Sequence, residues 1–230
     1  IGALGFFWKN NAQRWGRFAD APSGLDTNIE GTNPCGEIGL EPFELCNLVE
    51  MYPSRFSELQ ANHIYSVAKT LYLCAKAVSL VDTNWEDTND VIHRNHRIGF
   101  SLSGLMRSYA IHGVRETMGM CDRLYHFLHG LDQQYSDWLG VTPSIKRTTI
   151  QPSGTKSLLI GEPPGLHPAF APYYLRRVEY QADDASLEAF ESQGFRMTHR
   201  KEKHTVVVEF PCLLYTSPSP RDQRGSGLEA

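Results

Sequence analysis

Residues 98–103, IGFSLS, change the rhythm of the chain from helix period to a period of two. Ile98, Phe100 and Leu102 alternate with Gly99, Ser101 and Ser103. This is a strand pattern with one face kept small, as where something must approach the backbone closely. Upstream, Val67, Leu71, Cys74, Val78 and Val81 follow a 4-3-4-3 spacing, with Ser57 and Gln60 reading as a capping box ahead of them. Downstream, Cys121, Leu124, Leu128, Leu131, Tyr135 and Trp138 form a second helical stripe. Both cysteines on these stripes are therefore expected in the core. RTTIQ at 147–151 and TVVVEFP at 205–211 read as further strands. Strands separated by long helices predict an α/β architecture with parallel pairing. No internal repeat is visible.

The remaining bounds are loose. A chain of 230 residues with 41% apolar content can build one or at most two domains with a real core. A formal charge of −4 gives no electrostatic footprint for nucleic acid or an anionic membrane, and no apolar run reaches membrane-spanning length. Nor is a signal peptide visible. Five cysteines at irregular spacings argue against a disulfide scaffold and suit the reducing cytoplasm. The chain opens at Ile1, without Met, in a Gly- and aromatic-rich stretch, as if inside a domain. From Cys212 on, CLLYTSPSPRDQRGSGLEA loses all period. That composition predicts a disordered or non-native tail over 212–230, and it resembles translated adapter read-through.

Chemistry concentrates in residues 31–48, GTNPCGEIGLEPFELCNL, where Cys35 and Cys46 stand eleven apart and Asn33 and Glu37 flank the first. Pro34 and Gly36 exclude helix or regular strand there. Turn chemistry alone is the bland explanation. Zinc would need a CxxC or a suitably spaced second pair, which is missing, and no metal site is expected. A papain-like nucleophile, with a histidine and an asparagine downstream, stays open on residue types. HRNH at 93–96 reads as a solvated or capping pair of histidines rather than as ligands. In PSGTKS, small residues at a strand-to-helix junction would leave N–H groups free to cradle phosphate, and Ser153 and Thr155 would add hydroxyls. An ordinary N-capped turn is the commoner explanation of those residues. Lys156 reads as a surface lysine before a phosphate contact.

Taken together, NPCGEI, the following CNL, HRNHRIGFSLSGL and QPSGTKSLLIGEPPGLHPAFAPYYLRR resemble the catalytic subunit of ribonucleotide reductases, in that family's order, from about Gly5 to Pro211. The short interval from Cys35 to Cys46 is similar to the monomeric, adenosylcobalamin-dependent triphosphate reductases. The resemblance implies that residues 1–211 are the C-terminal portion of a ten-stranded α/β barrel whose central finger loop carries Cys35. It implies that Cys35 becomes a thiyl radical, that Glu37 is the general base, and that Asn33 holds the substrate hydroxyls. Cys46 would be one half of a reducing dithiol. Its partner would lie upstream of this stretch, since none of Cys74, Cys121 or Cys212 matches it. Pro152, Ser153, Gly154 and Thr155 would grip the substrate phosphate. Adenosylcobalamin is the implied cofactor. The implied partners are a ribonucleotide, a thioredoxin-type or other dithiol reductant, and deoxynucleotide effectors bound by a region upstream. The stretch alone is expected to be inactive. Two other readings stay open: a diphosphate reductase of class I or of the dimeric class II, and a non-catalytic α/β domain with a structural or metal-binding cysteine loop.

Overall fold

The computed structural model describes residues 5–17, 19–168, 171 and 173–213, and the chain divides into two compact units, Ile1–His167 and Pro168–Ala230. The first unit runs α1 (Lys9–Arg14), β1 (Gly31–Thr32), β2 (Gly39–Leu40), β3 (Leu48–Met51), α2 (Asn62–Val78), α3 (Glu86–Asn95), β4 (Gly99–Leu102), α4 (Leu105–His112), α5 (Val114–Leu139), β5 (Thr148–Thr149) and α6 (Lys156–Ile160). β4 is central in a parallel sheet. Leu48 pairs with Gly99 through Met51 with Leu102 on one side, and Phe100 and Ser101 pair with Thr148 and Thr149 on the other. Helices fill each crossover, as parallel strands require. The fold is α/β, as the alternation of periods predicts.

The core gathers Phe100 and Leu102 of β4, Ile64, Ala68 and Tyr72 of α2, and Met120, Leu124, Leu128, Leu131 and Tyr135 of α5. The α5 stripe is thus buried as its spacing predicts, and the helix ends at Gly140, whose φ of +69° suits a left-handed C-cap. Cys121 is half-buried against this core, and burial pushes its thiol up to about 11. Trp138, expected on the same stripe, is exposed in the last turn, where it stacks on Tyr135.

The expected face of α2 is corrected. Cys74, Val78 and Val81 are exposed, and the buried line is Ile64, Ala68, Tyr72, Ala75 and Lys76, turned by about one residue. A polar network decides this. Asp132 of α5, fully buried, accepts from Tyr72 Oη at 2.9 Å, Lys76 Nζ at 3.0 Å and Ser144 Oγ at 2.9 Å, and its other oxygen accepts from Ser144 N and Arg147 Nε. Burying Lys76 without this partner would cost several kcal/mol, so the network overrides the apolar count. The capping box does not form either. α2 begins at Asn62 after Ala61, with no side-chain cap, and Ser57 and Gln60 both lie before it in bend and turn.

Of the two histidines read as a solvated or capping pair, His93 is exposed, and His96 is the cap, buried rather than solvated. It caps α3 in a left-handed conformation at φ +41°, and its Nδ1 lies 3.0 Å from Ser79 Oγ. Turning inward there lets the chain enter β4 directly.

The second unit is an antiparallel sheet in the order β6 (Tyr173–Gln181), β8 (Thr205–Leu213), β7 (Arg196–Arg200), with α7 (Ser186–Ser192) between β6 and β7. Phe190, Phe195, Phe210 and Tyr180 cluster with ring centroids 5.0 to 5.9 Å apart. Parallel pairing fails for TVVVEFP because only Lys201–Lys203 and His204, at φ +55°, separate β7 from β8. A connection that short can only reverse the chain. β8 also reaches further than composition suggests. Cys212 pairs with Tyr174 and Leu213 with Tyr173, so two residues assigned to the tail belong to the ladder, and 214–230 lie outside the described residues.

Candidate active site

The cysteine segment is a hairpin. β1 and β2 pair antiparallel, Gly31 with Leu40 and Thr32 with Gly39, and Asn33 N donates to Ile38 O at 3.1 Å. The tip turns through Gly36, whose φ of +81° few side chains tolerate and whose N–H donates to Asn33 O. Residues 34–38 are turn and bend, as Pro34 and Gly36 predict, and two residues of strand on each side frame the loop.

Two contacts fix the hairpin against the sheet. Thr149 Oγ1 on β5 donates to Glu37 O at 2.7 Å, and Ile38 packs over Gly99, where a Cβ would lie 2.8 Å from Ile38 Cδ1. Gly99, at the start of the small face of β4, thus leaves room for the hairpin. Arg97, one residue before that strand pattern, holds both feet of the segment. Its Nη atoms donate to Asp26 at 3.1 and 2.5 Å, and its Nε donates to Glu44 at 2.8 Å. Asn95 donates to the same Glu44 oxygen, and Lys146 approaches Asp26 at 3.3 Å. Burial pushes the Glu44 carboxyl up, and Arg97 offsets only part of that.

This geometry brings the four expected residues together. Cys35 is exposed at the tip, and Asn33 is buried, 6% exposed, with its Oδ1 accepting from Ile38 N at 3.1 Å. Asn33 Nδ2 donates to Cys46 Sγ at 3.4 Å, a length that sulfur's larger radius allows. Glu37 Oε2 is buried with no hydrogen-bond partner among the described residues. Cys46 is exposed as well, and the atoms packed about its sulfur still push its thiol up. The Asn33 N–H draws it down, Glu37 and Cys35 push it up again, and Lys156 draws it down. Glu37 also lines a cavity of about 520 Å³ with Phe100, Leu124 and Thr149. Cys35, Cys46 and residues 152–155 do not line that cavity, so it does not by itself define a substrate seat.

Thr149, which donates to Glu37 O, stands three residues before Pro152, so the PSGT turn follows directly on the strand that holds the hairpin. Gln151 N donates to Ser101 Oγ at 2.9 Å, so the turn springs from the same face of the sheet. Ser153 adopts φ +52°, and Ser157 Oγ donates to Ser153 O at 2.5 Å. The N–H groups of Ser153, Gly154 and Thr155 donate to nothing among the described residues. Pro152 has no N–H to offer and serves by fixing the chain direction. Ser153 Oγ is buried without a hydrogen bond, although Tyr52 stands beside it, and burial pushes the Tyr52 phenol up to about 12.

Behind the turn, the buried Glu162 accepts from Arg55 Nε at 2.7 Å and Arg107 Nη1 at 3.1 Å. Sequence reasoning missed Tyr52, Arg97 and Glu162. Only Arg97 had a legible signal, since Asp26 and Glu44 stand nine residues on either side of Cys35. Among the described residues, no group of three or more His, Cys, Asp or Glu is placed to hold a metal ion, and no helix is long and apolar enough to cross a membrane.

No family model matches the chain. It is 38% identical over 214 residues to a probable adenosylcobalamin-dependent ribonucleoside-triphosphate reductase of Dictyostelium discoideum, covering 91% of this chain and 28% of that protein. The Euglena gracilis adenosylcobalamin-dependent ribonucleoside-triphosphate reductase is 37% identical, with 91% of this chain and 29% of that one covered. A solved B-12 dependent (class II) ribonucleotide reductase superposes with a TM-score of 0.79 at 30% identity, over 91% of this chain and 33% of that one. The chain thus spans about three-tenths of the length of these curated relatives. A cysteine hairpin set on a parallel α/β sheet beside a turn of free N–H groups, with these similarities, places the chain in the ribonucleotide reductase family. Within that family its similarities lie with the adenosylcobalamin-dependent, class II branch.

Proposed function

We propose that this chain supplies the radical-bearing loop and phosphate turn of an enzyme that reduces ribonucleoside triphosphates to deoxyribonucleotides. The observation that carries the reading is the gathering of Asn33, Cys35 and Glu37 on one hairpin, with Cys46 of the following segment bonded to Asn33 and the PSGT turn following the strand that holds Glu37. The whole protein would complete the three parallel strands into a ten-stranded barrel and work in the reducing cytoplasm.

In this reading Cys35 is the hydrogen-atom carrier. Its exposed thiol fits a group that must reach it from beyond the hairpin, and adenosylcobalamin, when bound, supplies the organic radical chemistry. The Cys35 thiyl takes the 3′-hydrogen of the ribose and later returns it, because an S–H bond is weak enough to be made and remade. Glu37, whose Oε2 has no partner among the described residues, takes the 3′-hydroxyl proton as general base. The second N–H of the Asn33 amide holds a substrate hydroxyl without titrating. Ser153, Gly154 and Thr155 offer N–H and hydroxyl donors to the phosphate, and Pro152 fixes their approach. Cys46 and a partner cysteine each lose one hydrogen and join as a disulfide. The two electrons and two protons go to the substrate, where hydrogen replaces the 2′-hydroxyl and that oxygen leaves as water. A thioredoxin-type or other dithiol then regenerates the pair, and deoxynucleotide effectors act elsewhere in the whole protein.

The test is product formation by the full-length enzyme, with dithiol and nucleotide, in the presence and absence of adenosylcobalamin and without any metal-bearing subunit. Deoxynucleotide should appear only with adenosylcobalamin, and more from triphosphate than from diphosphate. Product that ignores adenosylcobalamin, or that needs a metal-bearing subunit, would overturn the reading.

A further inference from the structure

We propose that Asn33 is a positioning residue for Cys46, its amide N–H holding the sulfur toward the hairpin and favouring the thiolate over the thiol. The proposal takes its meaning from the dithiol role given to Cys46 above, but it stands on geometry that turnover does not enter.

Ile38 N–H is a backbone donor and requires an acceptor, so the Asn33 oxygen must face it, at 3.1 Å. That fixes the amide. Nδ2 is left facing Cys46 Sγ at 3.4 Å. Asn33 is also pinned through its own main chain, N to Ile38 O at 3.1 Å and O from Gly36 N at 3.0 Å, so the donor is held in place. Its burial strengthens such a bond relative to water. The need for a donor is plain from the surroundings. Glu37 and Cys35 on the same hairpin as Asn33, together with the atoms packed about the sulfur, disfavour negative charge on Cys46, and Asn33 and Lys156 oppose them. Lys156 is exposed at the start of α6 and therefore screened by salt, whereas the Asn33 amide is not.

A consequence is that one side chain reports on both halves of the reaction. A single Nδ2 carries two hydrogens, one for Cys46 and one for a substrate hydroxyl. Substrate binding and thiol ionisation are thereby tied to the same rigid amide.

The test reads thiol ionisation directly. In reduced full-length enzyme, the rate of iodoacetamide modification at Cys46 is followed from pH 6 to 10 by peptide mass spectrometry, with the Cys35 peptide as internal reference. Two variants are compared with the parent. Asn33→Ala removes the donor without adding charge. Asn33→Asp removes the donor but keeps an acceptor for Ile38 N–H, which guards against collapse of the hairpin. Thiolate is the reacting species, so in both variants the Cys46 rate at pH 8 should fall about three- to tenfold relative to Cys35, with its profile moved to higher pH. An unchanged or faster Cys46 profile in Asn33→Ala would overturn the proposal. So would slowing in Asn33→Asp alone, because that is a charge effect and not a lost hydrogen bond. If Asn33→Ala does not fold, a Cys46 profile in Asn33→Asp that matches the parent overturns it, and a shifted one that persists at 0.5 M salt supports it, since added charge alone would be screened. Loss of turnover in either variant with an unmoved Cys46 profile would argue for the substrate-hydroxyl role alone.

Discussion

Replacing Gly99 by alanine would show whether the small face of β4 sets the position of the cysteine hairpin. The new methyl would stand 2.6 Å from Leu48 Cδ2, 2.8 Å from Ile38 Cδ1 and 2.8 Å from Thr149 Cγ2, where ordinary contact begins at 3.4 Å. Leu48 is half-buried and can rotate away. Ile38 is 6% exposed, and Thr149 is tied to Glu37 O, so neither yields easily. The displacement of about 0.6 Å needed at Ile38 therefore falls on the hairpin, at the residue after Glu37. Overpacking of this kind costs about 1–3 kcal/mol. A shift approaching 1 Å in a catalytic loop costs up to about a hundredfold in rate, so a loss of about ten- to a hundredfold is expected. Full-length Gly99→Ala should show both effects in thermal melts and in steady-state product formation. The control is built into the geometry, because Ile38→Val deletes the Cδ1 atom that clashes. That change alone costs about 0.5–1.5 kcal/mol, yet combined with Gly99→Ala it should return part of the lost rate. A Gly99→Ala enzyme with parental rate and melting, or a double variant no better than the single, would refute this account of the strand.

Three further outcomes are expected of the full-length enzyme. Cys35→Ser should bind nucleotide normally and make no deoxynucleotide, since an O–H bond is too strong to yield the radical; measurable product would remove Cys35 from its role. Glu37→Gln should lower turnover about 10²–10⁴-fold when chemistry limits the rate, and an unchanged rate would reduce Glu37 to a turn carboxylate. Asp132→Asn strands the buried Lys76 and should cost about 3–5 kcal/mol at neutral pH. Burial pushes the Asp132 carboxyl up, but Lys76, Ser144 and Arg147 outweigh it and leave it below the usual range. A lowered carboxyl stabilises the fold above about pH 4, and that contribution is lost as pH falls through the lowered value, so the gap between parent and variant in melts should close in acid. A gap independent of pH would show that the charge on Asp132 contributes nothing.

What could be read from the sequence was what local periodicity controls. The alternation around Phe100 and the stripe from Leu124 to Tyr135 depend on spacing alone, and both are buried as expected. The face of α2 was misread because apolar spacing could not register a buried Lys76 tied to Asp132, fifty-six residues away. Antiparallel pairing of β8 turns on a short reversal at His204, which strand period does not encode. At the site, Cys35, Glu37, Asn33 and Cys46 were visible because they lie within fourteen residues of one another. Tyr52, Arg97 and Glu162 were not, because each acts through partners brought in by the sheet, and only Arg97 left a trace, in the acidic pair spaced evenly about Cys35.

Arg97 closes a segment of chain from Asp26 to Glu44 with one cation. Measured as loop closure, holding the ends of about nineteen residues together offsets a chain entropy worth about 2–3 kcal/mol. A covalent crosslink could do the same and is the commoner solution in small stapled folds. Here a disulfide would set a further sulfur pair within exchange reach of Cys35 and Cys46, whose proposed chemistry depends on their remaining thiols until their turn comes. A guanidinium between two carboxylates ties the same knot with atoms that can neither be oxidised nor trade partners with sulfur. The hairpin is thereby anchored by a bond that is blind to redox state, and the cysteines are the part of the segment left free to change it.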